Sequence, residues 1–376
     1  MGKDINPFLI KNYISKHYFC DRENELNILL RNAKNNVNTT LISPRRLGKT
    51  GLIFRFFEYL EEEKSFESIY IDIYSTRNLS DFNTLLAESI LKKFPIKTSV
   101  GKQFMKLLKG FRPLFTFDEI TGAPQVQFNY QSNNDKEFTL QKLLLFLDQQ
   151  PLSVVIAIDE FQQITDYPEK NIEALLRTYI QQLKQVNFIF SGSRKHTLIE
   201  MFLSAKRPFY SSTQFLNLEP INREKYILFI CEKFEKGKRL ISDNCIDYII
   251  DWSKGYTFYT QSICNRLYTH KKIDLDIVKK ECLNLLIENE SVYFQYRNLI
   301  TSKQWDLLVA LAKEESISQL YSKDFLEKYN LGTPSTIRRI VDALLDKEMI
   351  LEQTTALETS YRVYDLFLMR WLQLTY

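Results

Sequence analysis

The stretch LISPRRLGKTGLI, from Leu41 to Ile53, decides the fold. Its centre, Ser43-Pro-Arg-Arg-Leu-Gly-Lys-Thr50, follows the phosphate-binding pattern G-x-x-x-x-G-K-[ST] except at the first position, where serine replaces glycine. Such a loop turns backbone N–H groups toward a phosphate, with the dipole of the following helix behind them. The serine reduces conformational freedom but removes no N–H donor and no charge, so we expect the loop to close.

Three residues of this loop have a defined part in phosphate binding. Gly48 permits close approach of the backbone, Lys49 neutralises the β- and γ-phosphates, and Thr50 supplies a hydroxyl ligand for Mg²⁺. Arg45 and Arg46 have two open interpretations, an added positive field around a triphosphate or a fixed salt bridge with acids of an adjacent domain. The predicted nucleotide-binding residues of the loop are Ser43, Pro44, Arg45, Arg46, Leu47, Gly48, Lys49, Thr50 and Gly51.

A second motif is an apolar strand that ends in two carboxylates, Val154-Val-Ile-Ala-Ile-Asp-Glu160, the pattern of a Walker B strand. Next to a phosphate loop, Asp159 is expected to hold Mg²⁺ and Glu160 to polarise the attacking water. A buried strand that ends in solvated acids is the alternative. The presence of both motifs in one chain favours the nucleotide site.

Apolar runs alternate with helical periodicity over residues 1–219, which predicts an α/β fold with a parallel sheet. The phosphate loop lies between a strand and a helix, the context that gives the motif its meaning. We expect the preceding helix to begin at an acidic N-cap, Asp21. Residues 112–131 are predicted to form an inserted β-hairpin that turns at Thr121-Gly-Ala-Pro124. The predicted strands of the sheet are Val37–Ser43, Ser68–Ile73, Val154–Ile158 and Val186–Ser191.

The strand pattern stops near residue 220. Four helical segments then predict a small all-helical unit over residues 220–298. Three shorter helices and two short strands predict a winged helix-turn-helix over residues 299–376. The third of these helices has Thr333 as its N-cap and Pro334 at its first position.

Composition gives weaker indications. The 376 residues are 44% hydrophobic and 26% charged, as in ordinary globular proteins, and the net charge of +4 is not a nucleic-acid signature. No apolar run reaches the ~18 residues of a membrane-spanning helix, and the N-terminus lacks a signal-peptide core, so we expect a cytoplasmic protein. Five cysteines without C-x-x-C spacing and three scattered histidines predict neither disulfides nor zinc.

Several segments together resemble the archaeal and bacterial P-loop ATPases of the AAA+/STAND group. They are Pro44-Arg-Arg-Leu-Gly-Lys-Thr50, Ile158-Asp-Glu-Phe-Gln162, Gly192-Ser193, Arg207-Pro-Phe-Tyr210 and Gly255-Tyr-Thr-Phe-Tyr259. The resemblance covers nearly the whole chain, and serine at the first loop position is familiar in this group. It implies an AAA+-like P-loop NTPase domain with a three-layer α/β/α arrangement over 1–219, a helical lid over 220–298 and a winged helix over 299–376. It also implies ATP and Mg²⁺ as ligands.

The resemblance further implies roles for individual residues. Phe19 and Arg22, before the first helix, resemble the segment that borders the adenine. Ser193 falls at the sensor-1 position, where a polar side chain reads the γ-phosphate or positions the water. Gly255 and Thr257 resemble the Gly-x-Pro turn of the lid that contacts nucleotide, with Thr257 in place of the proline.

Arg207 and Arg194 are candidates for a sensing or finger arginine. The alternative for each is a surface arginine with no such role. The catalytic residues that the sequence and the resemblance together predict are Lys49, Asp159, Glu160, Ser193 and Arg207.

The partner of such an ATPase is left open. The predicted recognition helix carries Arg338 and Arg339 but also Asp342 and Asp346, so duplex DNA remains an alternative while a protein contact or packing against the lid is favoured. The hairpin is a second candidate surface for a protein partner, although packing within the chain would also cover its aromatic residues. Oligomerisation through the ATPase face is a further interpretation.

The expected function is a nucleotide-controlled switch that binds and hydrolyses ATP. The alternative is a DNA-binding winged-helix regulator that uses ATP as a structural ligand.

Overall fold

The computed structural model describes residues 6–111, 113–117, 124–354 and 358–376. They form two compact units, an N-terminal unit over 11–222 and a C-terminal unit over 223–376 that also contains residues 6–10. The predicted domain boundaries at 219/220 and 298/299 stay predictions.

The N-terminal unit alternates helices and strands in the predicted manner. In chain order its elements are α1 (Glu23–Lys34), β1 (Thr39–Ile42), α2 (Lys49–Glu63), β2 (Phe66–Asp72), α3 (Leu79–Lys93), α4 (Ser99–Lys109), β3 (Leu114–Phe117), β4 (Pro124–Gln127), α5 (Asn133–Asp148), β5 (Ser153–Asp159), α6 (Ile172–Gln182), β6 (Val186–Gly192), α7 (Lys195–Leu203) and β7 (Gln214–Asn217). Short 3-10 helices lie at Lys16–Tyr18 and Phe161–Asp166.

Five strands make one parallel sheet with the order β2-β5-β6-β1-β7, which confirms the α/β fold. Strands β5 and β6 are buried along almost their whole length because they lie inside the sheet. The carboxyl ends of parallel strands meet at one edge. The residues that follow β1, β5 and β6 are therefore gathered at that edge.

The edge strand β7 was not predicted. Its sequence, Gln214-Phe-Leu-Asn217, mixes polar and apolar residues, and only Leu216 is buried. An edge strand packs on one side only, so it lacks the continuous apolar run of an inner strand.

The predicted hairpin is confirmed as a separate antiparallel pair of β3 and β4. It packs within the chain, because Val126 is buried and its backbone N–H donates to Glu88 Oε1 of α3 at 2.9 Å. The predicted turn residues 121–123 lie outside the described residues.

The prediction of an acidic N-cap at Asp21 was wrong. Helix α1 begins at Glu23, and its N-cap is Arg22 in a left-handed conformation with φ 79°. The Arg22 side chain is buried, and its Nη2 donates to the Leu47 carbonyl of the phosphate loop at 3.5 Å.

The C-terminal unit is mostly helical. Its elements are α8 (Arg223–Lys236), β8 (Leu240–Ile241), α9 (Asp243–Ser253), α10 (Thr257–Leu267), β9 (Lys272–Ile273), α11 (Leu275–Glu288), α12 (Glu290–Leu299), α13 (Ser302–Glu314), α14 (Lys323–Lys328), α15 (Pro334–Asp346), β10 (Ile350–Thr354), β11 (Thr359–Val363) and α16 (Leu366–Thr375). The prediction of an all-helical lid was incomplete, because β8 and β9 form a short parallel pair. Helix α12 was also missed.

The predicted three helices and β-ribbon of the winged helix are present as α13, α14, α15 and the antiparallel pair of β10 and β11. Thr333 is the N-cap of α15 and Pro334 follows it, as the sequence predicted. The tip of the ribbon, residues 355–357, lies outside the described residues.

Residues 6–10 belong to the C-terminal unit because Phe8 is fully buried there. Its ring packs against the rings of Phe234 and Tyr268, with centroid distances of 4.8 and 5.9 Å. Asn265 Nδ2 donates to the Phe8 carbonyl at 2.7 Å, and Asn6 Nδ2 donates to the Asn265 carbonyl at 2.8 Å. Residues Asn6 and Phe8 are thus fixed to helix α10.

Every helix within the described parts of the chain is too short or too polar to cross a lipid bilayer.

Candidate active site

The loop between β1 and α2 contains two residues with left-handed backbone, Arg46 with φ 74° and Gly48 with φ 89°. Ser43 has no positive φ, and its buried hydroxyl donates to the Pro44 carbonyl at 2.7 Å. The first position of the motif therefore needs no glycine for its conformation, whereas Gly48 occupies a region that favours glycine. This explains how the loop accommodates the serine.

The carboxylate of Asp159 is the centre of the site. Lys49 Nζ lies 3.4 Å from its Oδ1, and Ser191 Oγ donates to the same oxygen at 2.6 Å. Thr50 Oγ1 and the Tyr70 hydroxyl donate to its Oδ2 at 3.1 and 3.0 Å. Lys49 and Thr50 of the phosphate loop thus contact the Asp159 carboxylate at the end of β5.

These contacts determine the charge of Asp159. Burial alone would raise the pKa of this carboxyl, but the Lys49 ammonium and the hydrogen bonds from Ser191 and Tyr70 outweigh burial and hold the pKa below its ordinary value. Asp159 is therefore an anion at neutral pH, with a cation and a hydroxyl of the phosphate loop beside it.

Glu160 has a left-handed backbone, φ 55°, directly after β5. Its Oε2 accepts hydrogen bonds from Ser193 Oγ at 2.8 Å, Ser193 N at 3.2 Å and Gln162 Nε2 at 2.5 Å. The predicted Glu160 and Ser193 are thus in direct contact. One oxygen of the glutamate carries all three bonds.

Strand β2 contributes two residues that the sequence interpretation missed, Tyr70 and Asp72. Burial, followed by the charges of Asp159 and Asp72, raises the pKa of the Tyr70 hydroxyl, so it stays a neutral donor. Burial and the charges of Asp159 and Glu160 also raise the pKa of Asp72, which the N–H of Tyr74 only partly offsets. The sequence did contain a signal for these two residues. If β2 and β5 are neighbours in a parallel sheet, Tyr70 and Asp72 near the end of β2 must lie beside the end of β5.

The segment before α1 lies against the phosphate loop. Arg22 pairs with Glu25 at 2.8 Å and its Nη2 donates to the Leu47 carbonyl at 3.5 Å. Phe19 Cε2 lies 3.6 Å from the point where a Cβ on Gly51 would stand. Phe19 and Arg22 are therefore close to the loop, and their contact with adenine stays a prediction.

The two candidate arginines have carboxylate partners elsewhere in the unit. Arg207 pairs with Glu173 of α6 at 2.8 Å and lies 4.0 Å from Glu200 of α7. Arg194 pairs with Asp166 at 3.0 Å. These contacts do not include Asp159 or Glu160, and a sensing or finger role for either arginine stays a prediction.

The roles of the remaining predicted residues stay predictions. Arg45 and Arg46 have exposed side chains. Gly255, with φ 67°, precedes α10 in the C-terminal unit, and Thr257 is the first residue of that helix. Their contact with nucleotide stays a prediction.

Comparisons with known proteins agree with this fold. Residues 19–257 match a family described as an ATPase domain predominantly from Archaea, and residues 291–374 match a probable winged helix domain. No curated protein matched the chain.

Three solved structures have the same fold. A Walker-type ATPase of Pyrococcus abyssi is 18% identical with a TM-score of 0.68, over 98% of this chain and 99% of that chain. The ORC2 protein of Aeropyrum pernix, solved as ADPNP-ADP complexes, is 16% identical with a TM-score of 0.58, over 98% and 97%. Cdc6p of Pyrobaculum aerophilum is 14% identical with a TM-score of 0.50, over 98% of both chains.

At these identities the structures establish the fold alone, a P-loop-type α/β domain followed by a helical unit with a winged helix. The match over residues 19–257 extends over more than half of the chain. The chain belongs to the family of ATPase domains found predominantly in Archaea.

Proposed function

We propose that this protein is a Mg²⁺-dependent ATPase of the AAA+/STAND type whose nucleotide state controls a partner. The observation that carries the proposal is the convergence of Lys49, Thr50 and Ser191 on the Asp159 carboxylate, next to Glu160. Family membership and the nucleotide complexes of the Aeropyrum pernix ORC2 protein support ATP as the ligand.

Lys49 and the backbone N–H groups of the loop bind the β- and γ-phosphates in this proposal. The Thr50 hydroxyl and the Asp159 carboxylate would hold Mg²⁺, since both are oxygen donors of the kind this ion prefers. Among the described residues, no cluster of three or more His, Cys, Asp or Glu could hold a metal by itself. That fits an ion bound jointly by one carboxylate and phosphate oxygens. When bound, Mg²⁺ neutralises charge on the phosphate oxygens.

Glu160 activates the water that attacks the γ-phosphate. Its carboxylate follows Asp159 directly, and Ser193 holds one of its oxygens. A glutamate in this position takes up a proton from water while Lys49 compensates the charge that develops on the phosphate. Ser193 senses the γ-phosphate indirectly in this proposal, through its hydrogen bonds to Glu160.

The switch acts through segments whose position depends on the γ-phosphate. The lid turn at Gly255 and Thr257 is the proposed contact with nucleotide in the C-terminal unit. The winged helix of that unit is the proposed surface for a protein partner.

Phosphate release from ATP with Mg²⁺ tests the proposal. The wild-type protein should hydrolyse ATP. Glu160→Gln should bind ATP but lose turnover, and Lys49→Ala should lose binding. Glu63→Gln, on an exposed residue of α2, is the matched control and should behave as wild type. Wild-type turnover by Glu160→Gln would show that the assigned mechanism is wrong.

A second candidate is a DNA-binding regulator with ATP as a structural ligand. Exposed Arg338 and Arg339 on α15, the helix that a winged helix places in the major groove, favour it. Exposed Asp342 on the same helix weakens it. Fluorescence anisotropy with a DNA duplex at rising salt separates the two, because phosphate contacts make affinity fall steeply with salt. Absence of binding at low salt would exclude the DNA-binding candidate.

A further inference from the structure

Gln162 lies two residues after Glu160, in the 3-10 helix Phe161–Asp166, and only 2% of its surface is exposed. Its amide nitrogen donates to Glu160 Oε2 at 2.5 Å. A carboxylate can only accept, so the N–H side of the amide must face Glu160. This chemistry fixes the orientation of the amide.

The other end of this amide is buried without a partner. Gln162 Oε1 makes no hydrogen bond among the described residues. A buried carbonyl oxygen without a donor lowers the stability of the folded state. Stability alone therefore does not explain a glutamine rather than an apolar side chain at position 162. The polar contact that this position supplies is the one to Glu160.

Gly192 at the end of β6 makes the space for this amide. A Cβ on Gly192 would stand 1.9 Å from Gln162 Oε1 and 2.9 Å from Leu198 Cδ1. The glycine is needed for the position of Gln162 and not for a left-handed backbone, because Gly192 has no positive φ. The next residue, Ser193, supplies the other two hydrogen bonds to Glu160.

All three donors bind the same oxygen of Glu160. Within the described residues, Glu160 Oε1 carries no hydrogen bond or ion pair, while Oε2 accepts from Gln162 Nε2, Ser193 Oγ and Ser193 N. The two oxygens of the Glu160 carboxylate therefore have different surroundings. Oε2 is fixed to the protein and Oε1 is left to take up a proton.

We propose that Gln162, seated on Gly192, is a positioning residue that fixes Oε2 of Glu160 and so presents Oε1 to the attacking water. The inference rests on the proposed function, in which Glu160 is the base. A base that is held in one orientation loses less rotational freedom when the reaction occurs. In this proposal Gln162 acts on the reaction only through Glu160.

Two substitutions test this in the full chain. Gln162→Met keeps the length of the side chain and removes the donor, and Gly192→Ala displaces the amide without removing a polar group. The control is Gln150→Met, since Gln150 is also buried but donates to the Phe146 carbonyl at 2.6 Å. For both test variants, kcat should fall about tenfold while KM and ATP affinity stay within about twofold. The control should keep the wild-type kcat.

A double substitution separates positioning from a structural role. In the Glu160→Gln background, Gln162→Met should not lower the single-turnover rate further, because residues that act as a unit are not additive. If both test variants keep the wild-type kcat while Glu160→Gln loses turnover, the inference is wrong and the proposed function stands. An equal loss of ATP affinity and kcat would assign Gln162 a structural role and also overturn the inference. Wild-type turnover by Glu160→Gln would instead overturn the proposed function.

Discussion

The Lys49 ammonium lies 3.4 Å from Oδ1 of Asp159, and the two side chains are only 11% and 6% exposed. Removing the lysine would leave a buried carboxylate without its cation. Four hydrogen bonds to Asp159 would remain, from Ser191, Thr50, Tyr70 and the backbone N–H of Glu160. We therefore expect Lys49→Met to lower the free energy of unfolding at pH 7 by about 2 kcal/mol.

This loss should depend on pH. The folded-state pKa of Asp159 is lowered, so its stabilisation is present above the ordinary value and is lost as pH falls through the lowered value. The difference between wild type and Lys49→Met should narrow as pH falls from 7 toward about 3. Urea unfolding followed by circular dichroism at several pH values measures it. Lys102→Met, on an exposed residue of α4, is the control, and a pH-independent difference would contradict the ion pair.

Asp72 and Asp159 are paired residues of β2 and β5. Asp72 is an exposed residue at the end of β2, but partial desolvation of its carboxyl and the charges of Asp159 and Glu160 raise its pKa, so the folded state binds its proton more tightly than the unfolded chain does. The free energy of unfolding should then fall as pH rises from the ordinary value through the raised value. Asp72→Asn removes this cost and can still accept from the N–H of Tyr74.

Because Asp72 is exposed and solvent screens its charge, we expect Asp72→Asn to raise Tm at pH 7 by only about 1 °C and to have no effect on Tm below the ordinary aspartate pKa. Differential scanning fluorimetry at both pH values measures the difference. The control is Asp306→Asn on an exposed residue of α13. A lower Tm for Asp72→Asn at pH 7 would mean that Asp72 stabilises the fold as an anion.

The two serines at the end of β6 should differ in function. Ser193 Oγ donates to Glu160 at 2.8 Å, whereas Ser191 Oγ donates to Asp159 at 2.6 Å. Under the proposed function, Ser193→Ala should lower kcat about tenfold with little change in ATP affinity, because Ser193 N and Gln162 still hold Glu160. Ser191→Ala should mainly raise the Mg²⁺ concentration needed for half-maximal turnover, because Ser191 holds the proposed Mg²⁺ ligand Asp159. Titration of turnover with Mg²⁺ distinguishes them, and identical profiles for the two variants would contradict the assignment of separate roles.

Sequence reasoning found the parts of the site that local motifs encode. Thr50 and Asp159 lie 109 positions apart, yet each belongs to a short pattern whose chemistry is known, and they meet at 3.1 Å. Tyr70 belongs to no such pattern, and Gln162 appeared only as the last residue of the segment Ile158–Gln162, with no role of its own. Their contacts depend on which strands are neighbours and on the space beside Gly192, which only the three-dimensional structure supplies.

The fold shows the same division. Inner strands β5 and β6 have continuous apolar runs and were predicted, whereas the edge strand β7 has an ambiguous sequence and was missed. The start of α1 was misplaced because its N-cap is Arg22 in a left-handed conformation, and arginine is not among the residue types that signal an N-cap in a sequence. The contact between Phe8 and Asn265, 257 positions away, left no signal in the sequence.

That contact supports a last prediction. Phe8 is 0% exposed and packs against Phe234 and Tyr268, so Phe8→Ala should destabilise the C-terminal unit by about 3–4 kcal/mol. All three tryptophans of the chain, Trp252, Trp305 and Trp371, lie in that unit. Tryptophan fluorescence during urea unfolding therefore reports on the C-terminal unit.

The urea midpoint of the tryptophan signal should fall for Phe8→Ala, because the variant leaves a cavity beside the two aromatic rings. Leu228→Ala is the control, since Leu228 lies in α8 of the same unit but is 69% exposed. An unchanged midpoint for Phe8→Ala would mean that residues 6–10 do not stabilise the C-terminal unit. A midpoint that falls only for Phe8→Ala would show that the start of the chain is a structural part of the unit formed by its end.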